Sequence, residues 1–292
     1  MYHKPVLVEE VLEYLAPKAG GVYIDATFGG GGHTRAILTK EPTCKVIAID
    51  WDKTAIETNA PAIEEEFPGR VTFIWGNFSH LALLLKKQGI TQVDGILADF
   101  GTSQFQILEK PGFSFSKDSP LDMRMSSGHH KITAYDVIKR TPESELVKIF
   151  QEYGQERFSR KIAKAICDAR FVRPIKTTGD LVNIITRINP IRPGTIHPAT
   201  RVFQALRIVV NKELENIKSF LQQATQVLNP DGHIVCISFH SLEDRIVKQF
   251  FKEHNEQLNN LTPKIVTAQP DEIYRNASSR SAKLRAAAKI KI

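Results

Sequence analysis

Three carboxylates stand at the ends of short apolar runs in the first hundred residues. Asp25 closes Val22-Tyr23-Ile24, Asp50 closes Lys45 to Ile49, and Asp99 closes Val93 to Ala98. Shortly after the first come four consecutive glycines, Gly29 to Gly32, and then His33. Glycine lets the chain turn with φ > 0 and lets a ligand approach the backbone. Asp50 lies nineteen residues beyond Gly31, where an acid accepts hydrogen bonds from ribose hydroxyls and rejects a ribose 2′-phosphate. Its competing reading is a helix cap for residues 53 to 60, a job Asp52 would do as well. The chemistry this pattern offers is binding of a nucleoside-containing ligand at a glycine turn. The alternative is a plain glycine-rich turn.

The elements that must position these residues follow from the spacing. Each apolar run is short and β-branched, without helical period, and reads as a buried strand. Thr34 to Leu38 reads as the start of a helix. Strand, glycine turn and helix form the ligand-binding corner of a doubly wound sheet, whose carboxyl edge carries the chemistry. The dinucleotide fingerprint G-x-G-x-x-G fails here. Begun at Gly29 or Gly30, its last glycine falls on Thr34 or Arg35. Asp25-x-Thr27-x-Gly29-x-Gly31 instead fits the D/E-x-G-x-G-x-G turn of S-adenosylmethionine-dependent methyltransferases, with Thr27 in place of the first glycine.

Other elements complete the sheet. Residues 6 to 16 carry Val8, Val11, Leu12 and Leu15 at helical spacing. Val71 to Phe78 reads as a third strand and turn, with Phe78 facing either an adenine or the core. From about Phe105 the period changes. Four helices are expected over 132–139, 143–152, 157–171 and 178–189, supported by Thr141-Pro142-Glu143 and Thr177-Thr178-Gly179-Asp180. They read as an inserted helical domain. Arg157, Lys161 and Lys164 share one helical face, read as solvated rather than as a nucleic-acid stripe. Helices after Arg201 and over 213–228 lead to the turn Asn229-Pro230-Asp231-Gly232 and a fifth strand, Gly232 to Phe239. His240-Ser241 stand at its carboxyl end. No plausible triad order follows them and no G-x-S-x-G elbow exists, which argues against a hydrolase. Glu243, Asp244 and Arg245 open the next helix, where acids suit the N-terminal dipole. The basic tail, Ser281 to Ile292, is a last strand, a segment lying along a phosphate backbone, or disordered.

A length of 292 residues allows one or two domains with a sizeable core. The net charge of +7 permits a polyanionic partner without requiring one. The three cysteines lie far apart without a C-x-x-C pair, which argues against a disulfide framework or a zinc site and fits a reducing compartment. No signal-peptide core and no stretch long enough to span a bilayer is visible. A cytoplasmic protein with no metal is expected.

Several stretches resemble one family closely. They are Asp25-Ala-Thr-Phe-Gly-Gly-Gly-Gly-His33, Gly112-Phe-Ser-Phe115, Leu121-Asp-Met-Arg-Met125, His197-Pro-Ala-Thr-Arg-Val-Phe-Gln-Ala-Leu-Arg-Ile208, Ser238-Phe-His-Ser-Leu-Glu-Asp-Arg245 and Arg280-Ser-Ala-Lys-Leu-Arg285. The chain resembles the bacterial ribosomal small-subunit RNA (cytosine-N4)-methyltransferases of MraW type from His3 to Arg285. The resemblance implies an α/β, Rossmann-like S-adenosylmethionine-dependent methyltransferase sheet of seven-stranded type with an inserted all-helical domain. The expected boundaries are 1–107 and 198–292 for the methyltransferase domain and 108–197 for the inserted substrate-recognition domain. It implies S-adenosyl-L-methionine as methyl donor, and as acceptor a cytidine in the decoding region of 16S rRNA, on the small ribosomal subunit. A monomer or homodimer without membrane association is expected. The family's cofactor positions carry onto Gly31, Gly32, His33, Asp50, Phe78, Asp99 and Gln106.

The chain departs from the family pattern in three stretches. The usual D-L-G-V-S-S-P-Q reads Asp99-Phe-Gly-Thr-Ser-Gln-Phe-Gln106, with Gln104 and Phe105 replacing Ser and Pro. Y-G-E-E-R-F reads Tyr153-Gly-Gln-Glu-Arg-Phe158, and N-P-R before the last motif reads Asn276-Ala-Ser. No Pro-Pro-aromatic follows Asp99, unlike DNA amino-methyltransferases. Asp99 is therefore an acceptor for the target amine or a cofactor contact, and the resemblance favours the second. His240 and Ser241 are the substrate-side candidates. Phe113, Phe115 and Phe239 are candidates to receive a base drawn out of its stack. Two other readings are a non-catalytic RNA-binding assembly factor and a methyltransferase acting on another nucleic-acid amine.

Overall fold

The computed structural model describes residues 4–102, 106–107 and 110–291. It divides into two compact units, Met1–Gly101 with Leu214–Ile292, and Thr102–Glu213.

The first unit is built on an eight-stranded sheet. In chain order its strands are β1 (Val22–Asp25), β2 (Lys45–Asp50), β3 (Val71–Trp75), β4 (Val93–Asp99), β5 (Leu228–Ser238), β6 (Leu258–Asn260), β7 (Val266–Thr267) and β8 (Lys283–Lys289). They lie in the order β3-β2-β1-β4-β5-β8-β6, with β7 paired to β8. Strands β1 to β5 run parallel, and β8 runs antiparallel to β5 and β6. This is the Rossmann-like sheet expected. The chain winds outward from β1 through β2 to β3, then crosses back to β4 on the other side. The crevice between β1 and β4 is thus the topological switch point, where open sheets bind ligands.

Both faces of the sheet are buried, which explains the near-continuous apolar strands. Ile24, Ile47, Ile49, Ile96 and Ala98 face one core with Phe220 and Leu221 of α10 (Glu213–Val227) and Val247 and Phe251 of α11 (Ser241–Glu253). Tyr23, Val46, Ala48 and Leu97 alternate with them and face the other core. That core also holds Val11 and Leu15 of α1 (Val8–Leu15), Ile37 and Leu38 of α2 (Gly32–Lys40), and Ile63 of α3 (Lys53–Glu66). A further helix, α4 (Leu81–Lys87), precedes β4.

Of the three readings of the tail, the strand is the one the fold adopts. Leu284, Ala286 and Ala287 are fully buried, and Arg285 donates to the Asp244 carboxylate at 2.6 and 3.2 Å. Strand β5 begins at Leu228 and not at Gly232. The Asn229-Pro230-Asp231-Gly232 turn signal appears as an irregularity inside the strand, where the pairing jumps from Val93↔Leu228 to Gly95↔His233 and Asp231 takes φ 59.

The second unit contains α5 (Ala134–Arg140), α6 (Glu143–Glu152), α7 (Ser159–Val172), α8 (Thr178–Ile188) and α9 (Thr200–Asn211). Capping boxes at Thr133/Asp136 and Thr177/Asp180 start α5 and α8. Helix α7 starts at Ser159, two residues later than expected, so Arg157 lies outside it. Lys164 pairs with Asp168 at 3.1 Å, and the expected basic face is not continuous. The chain returns to the first unit at 213/214 and not at 197/198, and it leaves at 101/102 and not at 107/108. The physical reason for the later return is α9. Its residues Val202, Phe203, Ala205, Leu206 and Val210 are buried among Leu146, Phe150 and Ile162 of the helical core. Buried Asn211 at its end holds the Leu121–Met125 loop by donating to the Met123 carbonyl and accepting from Met125 N–H, both at 2.8 Å.

Cys44, Cys167 and Cys236 are free and buried. Among the described residues no helix is long and apolar enough to cross a membrane.

Candidate functional site

The glycine turn is fixed by side chains from three strand ends. Fully buried Asp25 accepts from Thr27 N–H at 3.2 Å and from the Thr34 hydroxyl at 2.7 Å, which ties the turn to the start of α2. Burial pushes its carboxyl up, against the pull of His33. The Thr27 hydroxyl accepts from Asp99 N–H at 2.7 Å. The residue that replaces the usual glycine therefore stitches the β1 turn to the end of β4. Gly29 N–H donates to Asp50 Oδ2 at 2.7 Å, and Asn59 Nδ2 donates to the Gly29 carbonyl at 3.0 Å.

The glycines differ in what they face. Gly29 has φ 49, and a Cβ there would meet only the Thr27 carbonyl, at 3.8 Å, so a ligand can approach it. At Gly31, with φ 73, a Cβ would sit 2.9 Å from the Phe28 ring and 3.1 Å from Ile63. At Gly32 it would sit 2.7 Å from the Pro5 ring. Those two positions are closed by the chain's own packing. The missing side chains there build the turn and leave no room that a ligand would occupy at Cβ.

Asp50 and Asp99 carry the charge of the crevice. Asp50 Oδ1 accepts from Asp52 N–H at 2.8 Å. Burial pushes its carboxyl up to about 7; the Asp52 and Gly29 N–H groups work against this, and the Asp52 and Asp25 charges with it. Its competing role as helix cap falls to Asp52, which accepts from Thr54 N–H at 3.2 Å. Asp99 Oδ2 lies 3.9 Å from His33 Nδ1, and Asp99 Oδ1 is buried with no hydrogen-bond partner among the described residues. Burial pushes Asp99 up to about 7 as well, offset by His33 and reinforced by the Asp25 and Glu243 charges. His33 itself is anchored, since its Nε2 lies 2.9 Å from the Val6 carbonyl. That contact requires a proton on Nε2.

Phe78 sits in a short turn whose first residue, Asn77, accepts from Ser79 N–H at 2.9 Å. Its ring is half-buried among Trp51, Phe100 and Phe220, at centroid distances of 6.2, 5.9 and 5.4 Å. The core-packing reading of Phe78 is the one these contacts show, beside the residues that follow β2 and β4.

At the end of β5, His240 is the N-cap of α11. Its Nδ1 accepts from Glu243 N–H at 3.4 Å, and its Nε2 lies 3.2 Å from Glu243 Oε1. Fully buried Glu243 in turn accepts from Phe239 and His240 N–H, at 2.8 and 3.2 Å. Glu243 is thus more than an acid suited to the helix dipole: with His240 it forms a capping box at i, i+3 spacing. Ser241 is exposed at the first helical position. Gln106 is buried within the second unit, and Gln104 and Phe105 lie outside the described residues.

The sheet thus gathers four buried or nearly buried carboxylates, Asp25, Asp50, Asp99 and Glu243, at one carboxyl edge. Burying so much negative charge is unfavourable unless cations compensate it. A site of this kind favours a positively charged ligand.

A model of the MraW methylase family matches residues 1–290. The chain is 46% identical over 302 residues to the ribosomal RNA small subunit methyltransferase H of Bradyrhizobium diazoefficiens, covering 98% of this chain and 91% of that protein. It is 44% identical over 308 residues to the protein of the same name from Paramagnetospirillum magneticum, covering 98% and 95%. With that from Sulfurihydrogenibium azorense it shares 44% over 292 residues, covering 99% of each.

Proposed function

The chain belongs to the MraW methylase family, and from that premise we propose that it transfers a methyl group from S-adenosyl-L-methionine to the exocyclic N4 of a cytidine in the decoding region of 16S rRNA, on the small ribosomal subunit. The observation that carries the reading is the carboxylate edge of the sheet, with the unpartnered Asp99 Oδ1 beside an open glycine turn. The donor supplies an electrophilic methyl group on a sulfonium and also bears an ammonium. Both cationic groups suit this edge.

The chain's own residues divide the work. Gly29 gives the donor access to the backbone. Asp50, held by two N–H groups, has acceptor capacity left for ribose hydroxyls. Asp99 holds the cationic end of the donor. Phe78 offers an apolar wall to the adenine. His240 and Ser241 stand on the substrate side, with His240 fixed by the Glu243 cap. The target amine is a weak nucleophile because its lone pair is delocalised; aligning it with the methyl carbon is the contribution this site can make, on the order of 7–11 kcal/mol for ideal alignment.

The donor's affinity is expected to rise with pH. A folded-state value above the ordinary 3.8 means that Asp99 holds a proton well into the neutral range in the free protein. The stability linked to that proton is fully present below the unfolded value and is lost as pH rises through about 7. The cationic donor reverses this preference by binding the ionised form. One such group is about one-tenth ionised at pH 6 and about nine-tenths at pH 8, an increase of about tenfold in affinity. Calorimetry across that range checks it, and a flat or falling profile would remove Asp99 from contact with the cation.

The reaction itself is tested with labelled S-adenosylmethionine and undermethylated small subunits, with naked 16S rRNA and DNA alongside. Nucleoside mass spectrometry should find the label in N4-methylcytidine from the subunit sample. Label in another nucleoside would keep the methyltransferase and discard the cytosine-N4 assignment.

A further inference from the structure

Within the helical unit, residues 153–158 between α6 and α7 and residues 189–199 between α8 and α9 wall a cavity of about 470 Å³. That size falls in the range of small-ligand sites. Arg157, Arg192 and Arg201 line it, together with Phe158, Ile196 and His197. The carboxylate in its lining, Glu156, is 5% exposed and accepts from Phe158 N–H at 2.8 Å. Among the described residues none of the three guanidiniums has a carboxylate partner; Arg201 donates to the Gln155 carbonyl at 3.0 Å.

The walls are built by specific backbone devices. A Cβ at Gly154 would fall 2.5 Å from the Arg201 carbonyl, so the first loop lies directly against the start of α9. Gln155 completes that loop with φ 50. In the second loop, Thr195 donates from N–H and hydroxyl to the Arg192 carbonyl at 3.3 and 2.9 Å, closing a turn through Gly194 at φ 74. His197 accepts at Nδ1 from Ala199 N–H at 3.2 Å, and its ring stacks on Phe115 at 4.6 Å. The rim is apolar, with Phe158 37% and Ile196 72% exposed.

We infer that this cleft binds a single-stranded segment of RNA, with phosphates on Arg157, Arg192 and Arg201 and an unstacked base against Phe158. Guanidinium forks match phosphate oxygens, and exposed rings beside basic grooves are how single strands are held. An acidic peptide would use the arginines but gives the Phe158 ring no stacking partner. The inference rests on the rRNA reading above and adds where the chain grips strand outside the sheet crevice.

The test uses the full chain and a fluorescein-labelled 12-nucleotide single-stranded RNA of mixed sequence. Arg157→Ala with Arg192→Ala is expected to weaken binding by about tenfold or more and to lower the salt slope by about 1.4, two phosphates at about 0.7 each. Phe158→Leu should weaken binding about tenfold with the salt slope unchanged. S-adenosylmethionine binding by calorimetry and the helical content and thermal unfolding by circular dichroism should stay at the parent values in all variants, which together report both units intact. Unchanged RNA affinity in the arginine variant overturns the proposal. Displacement of the RNA by a polyglutamate peptide at equal concentration overturns the choice of RNA over an acidic protein. Loss of RNA binding without any N4-methylcytidine from the parent enzyme would keep this site and discard the reaction.

Discussion

Asp99→Asn will weaken S-adenosylmethionine binding about a hundredfold while leaving the fold at least as stable. The substitution keeps the shape and removes the charge. It replaces one carboxylate oxygen with an amide that presents N–H to a cation. Loss of a charge-assisted hydrogen bond from a buried site costs about 1.5–3 kcal/mol, and at the upper end that is the stated factor. Stability behaves differently because Asp99 Oδ1 has no hydrogen-bond partner to lose among the described residues and its burial is already unfavourable. Calorimetric titration and thermal unfolding of the same protein separate the two effects. An unchanged donor affinity with a collapsed kcat would make Asp99 the acceptor for the target amine. Full retention of both would take it out of the site.

Gly31→Ala is the second large effect, and it should act on the fold before it acts on chemistry. The alanine would have to hold φ 73, which costs about 1–2 kcal/mol for a non-glycine residue. Its Cβ would also press on the Phe28 ring at 2.9 Å and on Ile63 at 3.1 Å, both fully packed, and overpacking of that kind costs about 1–3 kcal/mol. The total expected loss is about 2–5 kcal/mol by denaturant unfolding. Donor binding should fall with it, because Gly29, Asp50 and Thr34 are all hydrogen-bonded through the same turn. Gly29→Ala isolates the packing cost, since at φ 49 it carries the same backbone cost while its Cβ meets nothing closer than 3.8 Å. A Gly31→Ala protein as stable as the parent would show that the turn adapts and that the packing argument is wrong.

Three of the parallel strands, β1, β2 and β4, were legible because each is largely buried and reads as an apolar run closed by an acid. The placement of Asp25, Asp50 and Asp99 on one edge followed from that reading alone. The return from the insertion was not legible. Helix α9 has an apolar face that suits either core, and only the observed packing assigns it to the helical one. Strands β6 and β7 are three and two residues long, too short for a period to register. At the site, the glycine run announced a ligand turn, but Gly31 and Gly32 answer to Ile63 and Pro5, residues no local pattern connects to them. The hydroxyl of Thr27 reaching to Asp99 N–H is likewise a contact across 72 positions of sequence. The i, i+3 spacing of His240 and Glu243 is that of a capping box, but the pattern usually opens with Ser or Thr, so a histidine there gives only a partial signal.

Strand β8 has a consequence for how the protein is made. It pairs with β5 on one side and β6 on the other, so residues 283–289 fill an interior position in the sheet. While a ribosome is still translating the stretch before residue 283, β5 lies on an open edge with unsatisfied N–H and C=O groups, and Val235 and Ile237 lack their cover. At about 5–20 residues per second, some fifty residues of synthesis separate the end of β5 from the end of β8, an interval of several seconds. A nascent chain halted in that interval exposes an unpaired margin of sheet, open to pairing with another strand until residues 283–289 arrive.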